Sequence, residues 1–308
     1  MKKPFRNGRP WTVWRVVGII GTLVCAVLFL HEPSFPTPDK IFVFLVFVFM
    51  ALGQAREFIK RFLPFVALLL IYESFRGLVP SLNTHVNYLW MPRADRLLFG
   101  QLPTSWLQHY LWHGHVMWYD FVFYGAYTLH FVLPFALAVL VWKLRESHYW
   151  QFITTYLIVS FAGFLTFLLF PAAPPWLASD KHLIEPVAHV STSVWYAFGI
   201  HDFPSVYNKI SPNPVAAVPS LHAAYATLLI IFVYKLFGKK WAALAVIYPL
   251  LIFFGTVYMG EHYAIDEILG IIYALAGYFL TVWLFDHLLP RLQARRHGRH
   301  PAKATPVR

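Results

Sequence analysis

Two short strings hold residues whose types and spacing could do chemistry. GEHYAIDEILG at 260–270 sets His262 and Asp266 four residues apart at the start of an apolar run. Residues at i and i+4 share one helix face. The carboxylate can therefore accept the imidazole N–H, fix its tautomer and raise the basicity of the far nitrogen. In NPVAAVPSLHAAYA at 213–226, Pro219 breaks the chain and Ser220 is placed to cap a new helix. His222 then falls in the first turn, where backbone N–H groups point at any bound anion. One imidazole oriented as nucleophile and a second placed to protonate a leaving oxygen are a sufficient kit for phosphoryl transfer.

The elements that position these strings are membrane helices. Of 308 residues, 58% are hydrophobic and 13% charged, and mean hydropathy is +0.55. Soluble domains carry roughly twice that share of charge. A helix needs ~20 mostly apolar residues to cross the hydrocarbon core, where unpaired backbone groups are not tolerated. Segments near 11–30, 40–55, 62–79, 119–142, 150–171, 215–236, 240–259 and 264–288 meet or approach this, with 40–55 the shortest. The expectation is an all-α, polytopic membrane bundle of about eight transmembrane helices. It forms one domain over 1–288, with a disordered basic tail at 289–308. The first run has no small-x-small cleavage site after it and is read as a retained span. Cys25 is the only cysteine, so no intramolecular disulfide is possible.

A net charge of +11 invites a nucleic-acid reading, but the placement of charge argues against it. With eight spans both termini lie on one side. That side holds the N-terminal segment, the loops at 56–61, 143–145 and 235–240, and the tail, with 19 of the 25 basic residues. The other side collects 11 of the 14 acidic residues. This is the positive-inside pattern, with the excess cations left to contact anionic lipid heads. Both termini are expected to be cytoplasmic, in a plasma membrane, with the two strings at the outer face. The outward connections are 80–118 and 172–214. Trp106, Leu107, Tyr110 and Leu111 of the first can form a helical stripe suited to the membrane interface. The second is proline-rich and reads as irregular chain.

The two strings resemble the second and third signatures of the type 2 phosphatidic acid phosphatase superfamily, closest to its branch of fungal inositol phosphorylceramide synthases. Pro219-Ser220-Leu221-His222 matches Pro-Ser-x-His, and Thr256 through His262 to Asp266 matches Arg-x5-His-x3-Asp except at Thr256. FLLFPAAPPW at 167–176 occupies the place of the first signature and is similar to the proline-rich form of the synthase branch. The resemblance covers roughly residues 70–285. It implies a six-helix core over about 62–288, a phosphohistidine formed on His262, protonation of the leaving oxygen by His222, and orientation of His262 by Asp266. No cofactor is called for.

Two positions depart from the superfamily. Its phosphatases place a Lys and an Arg in the first signature and an Arg six residues before the nucleophile; here FLLFPAAPPW has no basic residue and Thr256 replaces the Arg. A transferring phosphoryl group needs donors or fixed positive charge around its oxygens. Among the outward cations Arg76, at the end of a span in YESFRG, is the first candidate, followed by Arg96 and Lys209; Ser220 and Tyr263 are further candidate substrate contacts. Glu261 and Glu267 read as solvated or supporting carboxylates. His109, His113 and His115 have metal-like spacing but no matching Cys or carboxylate cluster, and no metal is assigned.

Three functions stay open. The first is a lipid phosphotransferase moving a phosphoinositol-like head group from a phospholipid donor to a lipid hydroxyl. The second is a lipid phosphate or polyprenyl pyrophosphate phosphatase, with water as acceptor. The third is a transporter using the His and Asp as a proton relay. Loss of the basic trio favours a phosphodiester, which carries one negative charge where a monoester carries nearly two, and so favours the transferase.

Overall fold

The computed structural model describes residues 13–31, 37–199 and 213–296, and among these no strand forms. The helices are α1 (Val13–His31), α2 (Pro38–Ala51), α3 (Ala55–Leu82), α4 (Trp90–Phe99), α5 (Pro103–Leu111), α6 (Trp118–Leu144), α7 (Tyr149–Leu169), α8 (Pro175–Asp180), α9 (Val190–Ala197), α10 (Leu221–Phe237), α11 (Lys239–Ala245), α12 (Ile247–Tyr258) and α13 (Ala264–Trp283).

All eight apolar runs form helix, and six of these stretches are long and apolar enough to cross a membrane: α1, α3, α6, Glu146–Leu169, Lys239–Tyr258 and Ala264–Gln293. The chain is an integral, multi-pass membrane protein. The other two runs fall short of the length expected of them. Helix α10 has 17 residues and α2 has 14, about 26 and 21 Å against a hydrocarbon core of ~30 Å. Their ends explain the difference. Pro219 and Ser220 delay the start of α10, and the left-handed turn at Gly53 (φ 71°) follows the end of α2.

Helices α3, α6, α7, α10 and α13 pack around one aromatic core that includes Phe58, Phe62, Phe65, Phe135, Phe152 and Phe232. Lipid tails are as apolar as these rings, so close packing and dispersion carry the association. At one end of the bundle Arg61 pairs with Glu146. Beside them Arg145 Nε donates to the Leu236 carbonyl at 2.9 Å, and Lys235 Nζ to Gln151 Oε1 at 3.1 Å. The three basic loops thus converge at the same end.

Helices α4, α5, α8 and α9 cover the opposite end. The stripe expected on α5 divides: Leu107 is buried, while Trp106 and Tyr110 are exposed with their rings edge to face at 5.3 Å. The connection expected to be irregular contains α8 and α9, and its residues 200–212 lie outside the described residues. After α13 the helix continues through a π-type turn at Leu284–Leu288 into α14 (Leu289–Arg296). Helix therefore persists past the expected tail boundary at 288.

Candidate active site

The first turns of α10 and α13 touch. A Cβ on Gly270 would lie 2.2 Å from the Ser220 carbonyl oxygen, so only glycine permits this approach. The Ser220 N–H donates to the Asp266 carbonyl at 3.0 Å. Ser220 Oγ accepts the Ala223 N–H at 3.2 Å, which makes it the N-cap the sequence called for. Across the gap the chain leaves α12 through Gly260 in the left-handed region (φ 81°). The Glu261 and His262 N–H groups then donate back to the Thr256 carbonyl at 3.0 and 3.2 Å. Asp266 Oδ2 accepts the Tyr263 N–H at 2.9 Å and fixes the start of α13. Asp95 of α4 holds the same turn, its two oxygens accepting the Ala264 and Ile265 N–H groups at 3.0 and 2.8 Å. Burial pushes the Asp95 carboxyl up to about 6, the two backbone bonds pulling the other way.

These constraints bring the predicted trio together. His222 Nδ1 lies 3.1 Å from His262 Nε2, and His262 Nδ1 lies 3.7 Å from Asp266 Oδ2, an ion-pair distance. Burial alone would lower the basicity of His262, but Asp266, then Glu267 and Glu261, outweigh it and leave the imidazole above its ordinary range. Both imidazoles open onto a cavity of about 130 Å³, whose polar wall adds Arg76, Glu73, Glu261 and Asn213. Its remaining wall is largely apolar, including Leu69, Phe131, Phe135 and Phe167.

A family model of the PAP2 superfamily matches residues 89–280, well over half of the chain and including His222, His262 and Asp266. The chain belongs to the PAP2 superfamily. It is an enzyme of that superfamily's phosphotransferase and phosphatase class. The phosphoinositol dihydroceramide synthase of Bacteroides thetaiotaomicron is 31% identical over 259 residues, covering 79% of this chain and 81% of the relative. The inositol phosphorylceramide synthase catalytic subunit of Schizosaccharomyces pombe is 22% identical over 92% of this chain and 67% of its own length. The inositol phosphorylceramide synthase of Candida albicans is 23% identical over 89% and 59%. No solved structure matches the chain.

The two departures from the superfamily signatures have structural occupants. Thr256 Oγ1 donates to Glu267 Oε1 at 2.7 Å, so a neutral hydroxyl supports a buried carboxylate beside the site. In FLLFPAAPPW, the Ala172 N–H donates to the Val215 carbonyl (2.7 Å) and the Ala173 N–H to the Asn87 carbonyl (3.0 Å). The segment ties the outer connections together through its backbone, a task that requires no cation.

The structure separates the remaining candidates. Arg76 lines the cavity and pairs with Glu73, Nη2 to Oε2 at 2.9 Å. Arg96 pairs with Glu185 at the exposed surface and is absent from the cavity wall. Tyr263 is fully buried among Met91, Leu102, Ala172 and Val187, behind the site and outside that wall. Lys209 lies outside the described residues. Glu261 and Glu267 are buried, which of the two readings offered for them excludes the solvated one and leaves the supporting one. Glu261 accepts from His189 Nε2 at 3.0 Å and from Ser191 Oγ. Burial would raise its carboxyl, but His189, Ser191 and His262 outweigh that and hold it below the usual range.

Sequence reasoning missed His130 and Tyr127 of α6, which pack directly against His222. The available signal was an ionisable side chain in the middle of an apolar span.

Proposed function

We propose that this enzyme is a lipid phosphotransferase that carries a phosphoinositol-like head group from a phospholipid to a lipid hydroxyl through a phosphohistidine on His262. The 3.1 Å contact between His222 Nδ1 and His262 Nε2, inside a cavity with one polar and one apolar wall, carries the reading. The names of the relatives supply the substrate class.

Phosphorus must enter where the two nitrogens now meet, so the rings part as substrate binds. His262 Nε2 attacks phosphorus, and His222 donates a proton to the oxygen of the departing lipid. The acceptor hydroxyl then gives its proton to His222 as its oxygen displaces His262, which restores both imidazoles. Asp266 holds the charge that develops on His262. Arg76, paired with Glu73, is the one Lys or Arg side chain among the described residues of the cavity wall, and a single guanidinium suits a singly charged phosphodiester. Incubation of purified protein with inositol-labelled phosphatidylinositol and a short-chain ceramide is the test. Label should appear on the ceramide; label released only to water would replace the transferase with a phosphatase.

Arg76 is assigned to the transferring oxygens. Removing one well-placed donor costs roughly 3 kcal/mol of transition-state stabilisation. Arg76→Gln should therefore lower turnover about 10²-fold. Arg76→Lys should restore it in part, since an ammonium cannot grip two oxygens at once. Undiminished turnover of Arg76→Gln would remove Arg76 from the site.

The reaction is assigned to the outer face of a plasma membrane with both termini cytoplasmic, on the split of basic charge between the two ends of the bundle. An impermeant thiol reagent added outside intact cells should label a cysteine placed at Ser179 and miss one at Gly238. The reverse pattern would move the site to the cytoplasmic face.

A further inference from the structure

The two imidazoles of the site are held by different means. His262 has a carboxylate on its far nitrogen, Asp266 at 3.7 Å. His222 makes no ion pair among the described residues, and its buried Nε2 has no hydrogen-bond partner. Its ring is instead clamped between two others. Tyr127 stacks on it at 4.4 Å between centroids and 20° between planes, and His130 lies against it at 4.1 Å and 37°. Tyr127 and His130 are three residues apart on α6 and so share one helix face. The column continues away from the site: His130 stacks on Tyr225 at 4.8 Å and 8°, and the Tyr225 hydroxyl meets Ser160 Oγ at 2.5 Å.

We propose that Tyr127 and His130 are the positioning residues of the general acid, holding the His222 ring in register by contact with its faces when its Nδ1 parts from His262. The inference rests on the phosphotransferase reading. An acid that gives up its proton within one step gains nothing from a carboxylate partner, which would stabilise the imidazolium and weaken it. It must still be aimed, because misplacement by about 1 Å can cost ~10²-fold in rate. Stacking aims a ring without setting a formal negative charge beside it.

The test compares two donors with the full-length protein in lipid nanodiscs: phosphatidylinositol, whose alkoxide leaves only with protonation, and 4-nitrophenyl phosphoinositol, whose phenolate leaves without it. Measured as the rate of phosphoenzyme formation, Tyr127→Leu and His130→Leu should each lose about 10²-fold on phosphatidylinositol and far less on the aryl donor. Tyr127→Phe and His130→Phe keep the stacked face and should recover most of the lost rate, with melting temperatures followed for every variant. A His130→Phe protein as impaired as His130→Leu would overturn the proposal by assigning the role to the imidazole nitrogens. Equal losses on both donors in the Leu variants would overturn it as a general collapse of the site. His222→Ala separates the two levels. If it discriminates between the donors and the column variants do not, positioning by the column falls. If His222→Ala itself fails to discriminate, the general-acid reading falls and the proposal with it.

Discussion

His262→Ala is expected to abolish turnover, by about 10⁴-fold or more, as removal of a covalent nucleophile does elsewhere, and to leave no acid-labile phosphoenzyme. The argument begins with what holds the ring. Asp266 at 3.7 Å faces Nδ1, so the nitrogen presented to the cavity and to His222 is Nε2, and the surrounding carboxylates raise its basicity. Among the described residues of the polar wall nothing else offers a comparable nucleophile: His222 lacks a carboxylate, Glu73 is paired with Arg76, and Glu261 is occupied by His189 and Ser191. The substitution should spare the fold. Residue 262 contributes its backbone N–H to the Thr256 carbonyl whatever its side chain, and Asp266 retains the Tyr263 N–H. Brief incubation with phosphorus-labelled donor, quenching in base and gel separation would trap the intermediate in the unaltered protein. The same band surviving in His262→Ala would place the covalent step on another residue.

How much of this site could be read beforehand depends on how local its causes are. The Ser220 cap stands as its spacing requires. The His262–Asp266 pair is met only in part: His262 precedes α13, and its Nδ1 lies 3.7 Å from Asp266 Oδ2, an ion-pair contact and not the hydrogen bond expected within one helix face. The meeting of the two strings was legible only as a shared membrane face; the contact itself depends on Gly270, whose missing Cβ lets Ser220 approach. The eight apolar runs were readable from hydropathy, whereas the short lengths of α2 and α10 are set by their ends and the short helices α8 and α9 of the outer connection carry no such signal. The outer cations were harder to sort. The sequence ranked Arg76 ahead of Arg96 by its place at the end of a span, but did not show their partners: Arg96 meets Glu185, 89 positions along the chain, and Arg76 meets Glu73 on its own helix and still faces the cavity. Glu261 was left between a solvated and a supporting role because its partners, His189 and Ser191, lie some 70 positions earlier. The His222 clamp was invisible for the same reason: Tyr127 and His130 reach it only through the packing of α6 on α10.

His222→Ala should slow formation of the phosphoenzyme from a natural phospholipid donor by about 10²–10⁴-fold, the usual contribution of a positioned general acid, and slow its formation from an activated aryl donor far less. The asymmetry follows from proton demand. A lipid alkoxide is a poor leaving group and needs a proton as its bond to phosphorus breaks, whereas a nitrophenolate leaves unaided. The same residue must then accept a proton from the incoming hydroxyl, so the deficit should reappear in the second step for every donor that forms the phosphoenzyme. Rapid-quench kinetics separates the two. With the aryl donor, His222→Ala should form phosphohistidine at close to the ordinary rate and accumulate it, because the acceptor hydroxyl lacks its base. With phosphatidylinositol it should form the intermediate slowly and accumulate little. The 3.1 Å contact between the rings adds a control: loss of His222 removes the neighbour that occupies Nε2 of His262 at rest, so diminished nucleophilicity cannot be assumed as the cause of a slow first step. If the variant forms the intermediate equally slowly from both donors, proton donation by His222 is ruled out, and its place beside His262 must serve to position the nucleophile.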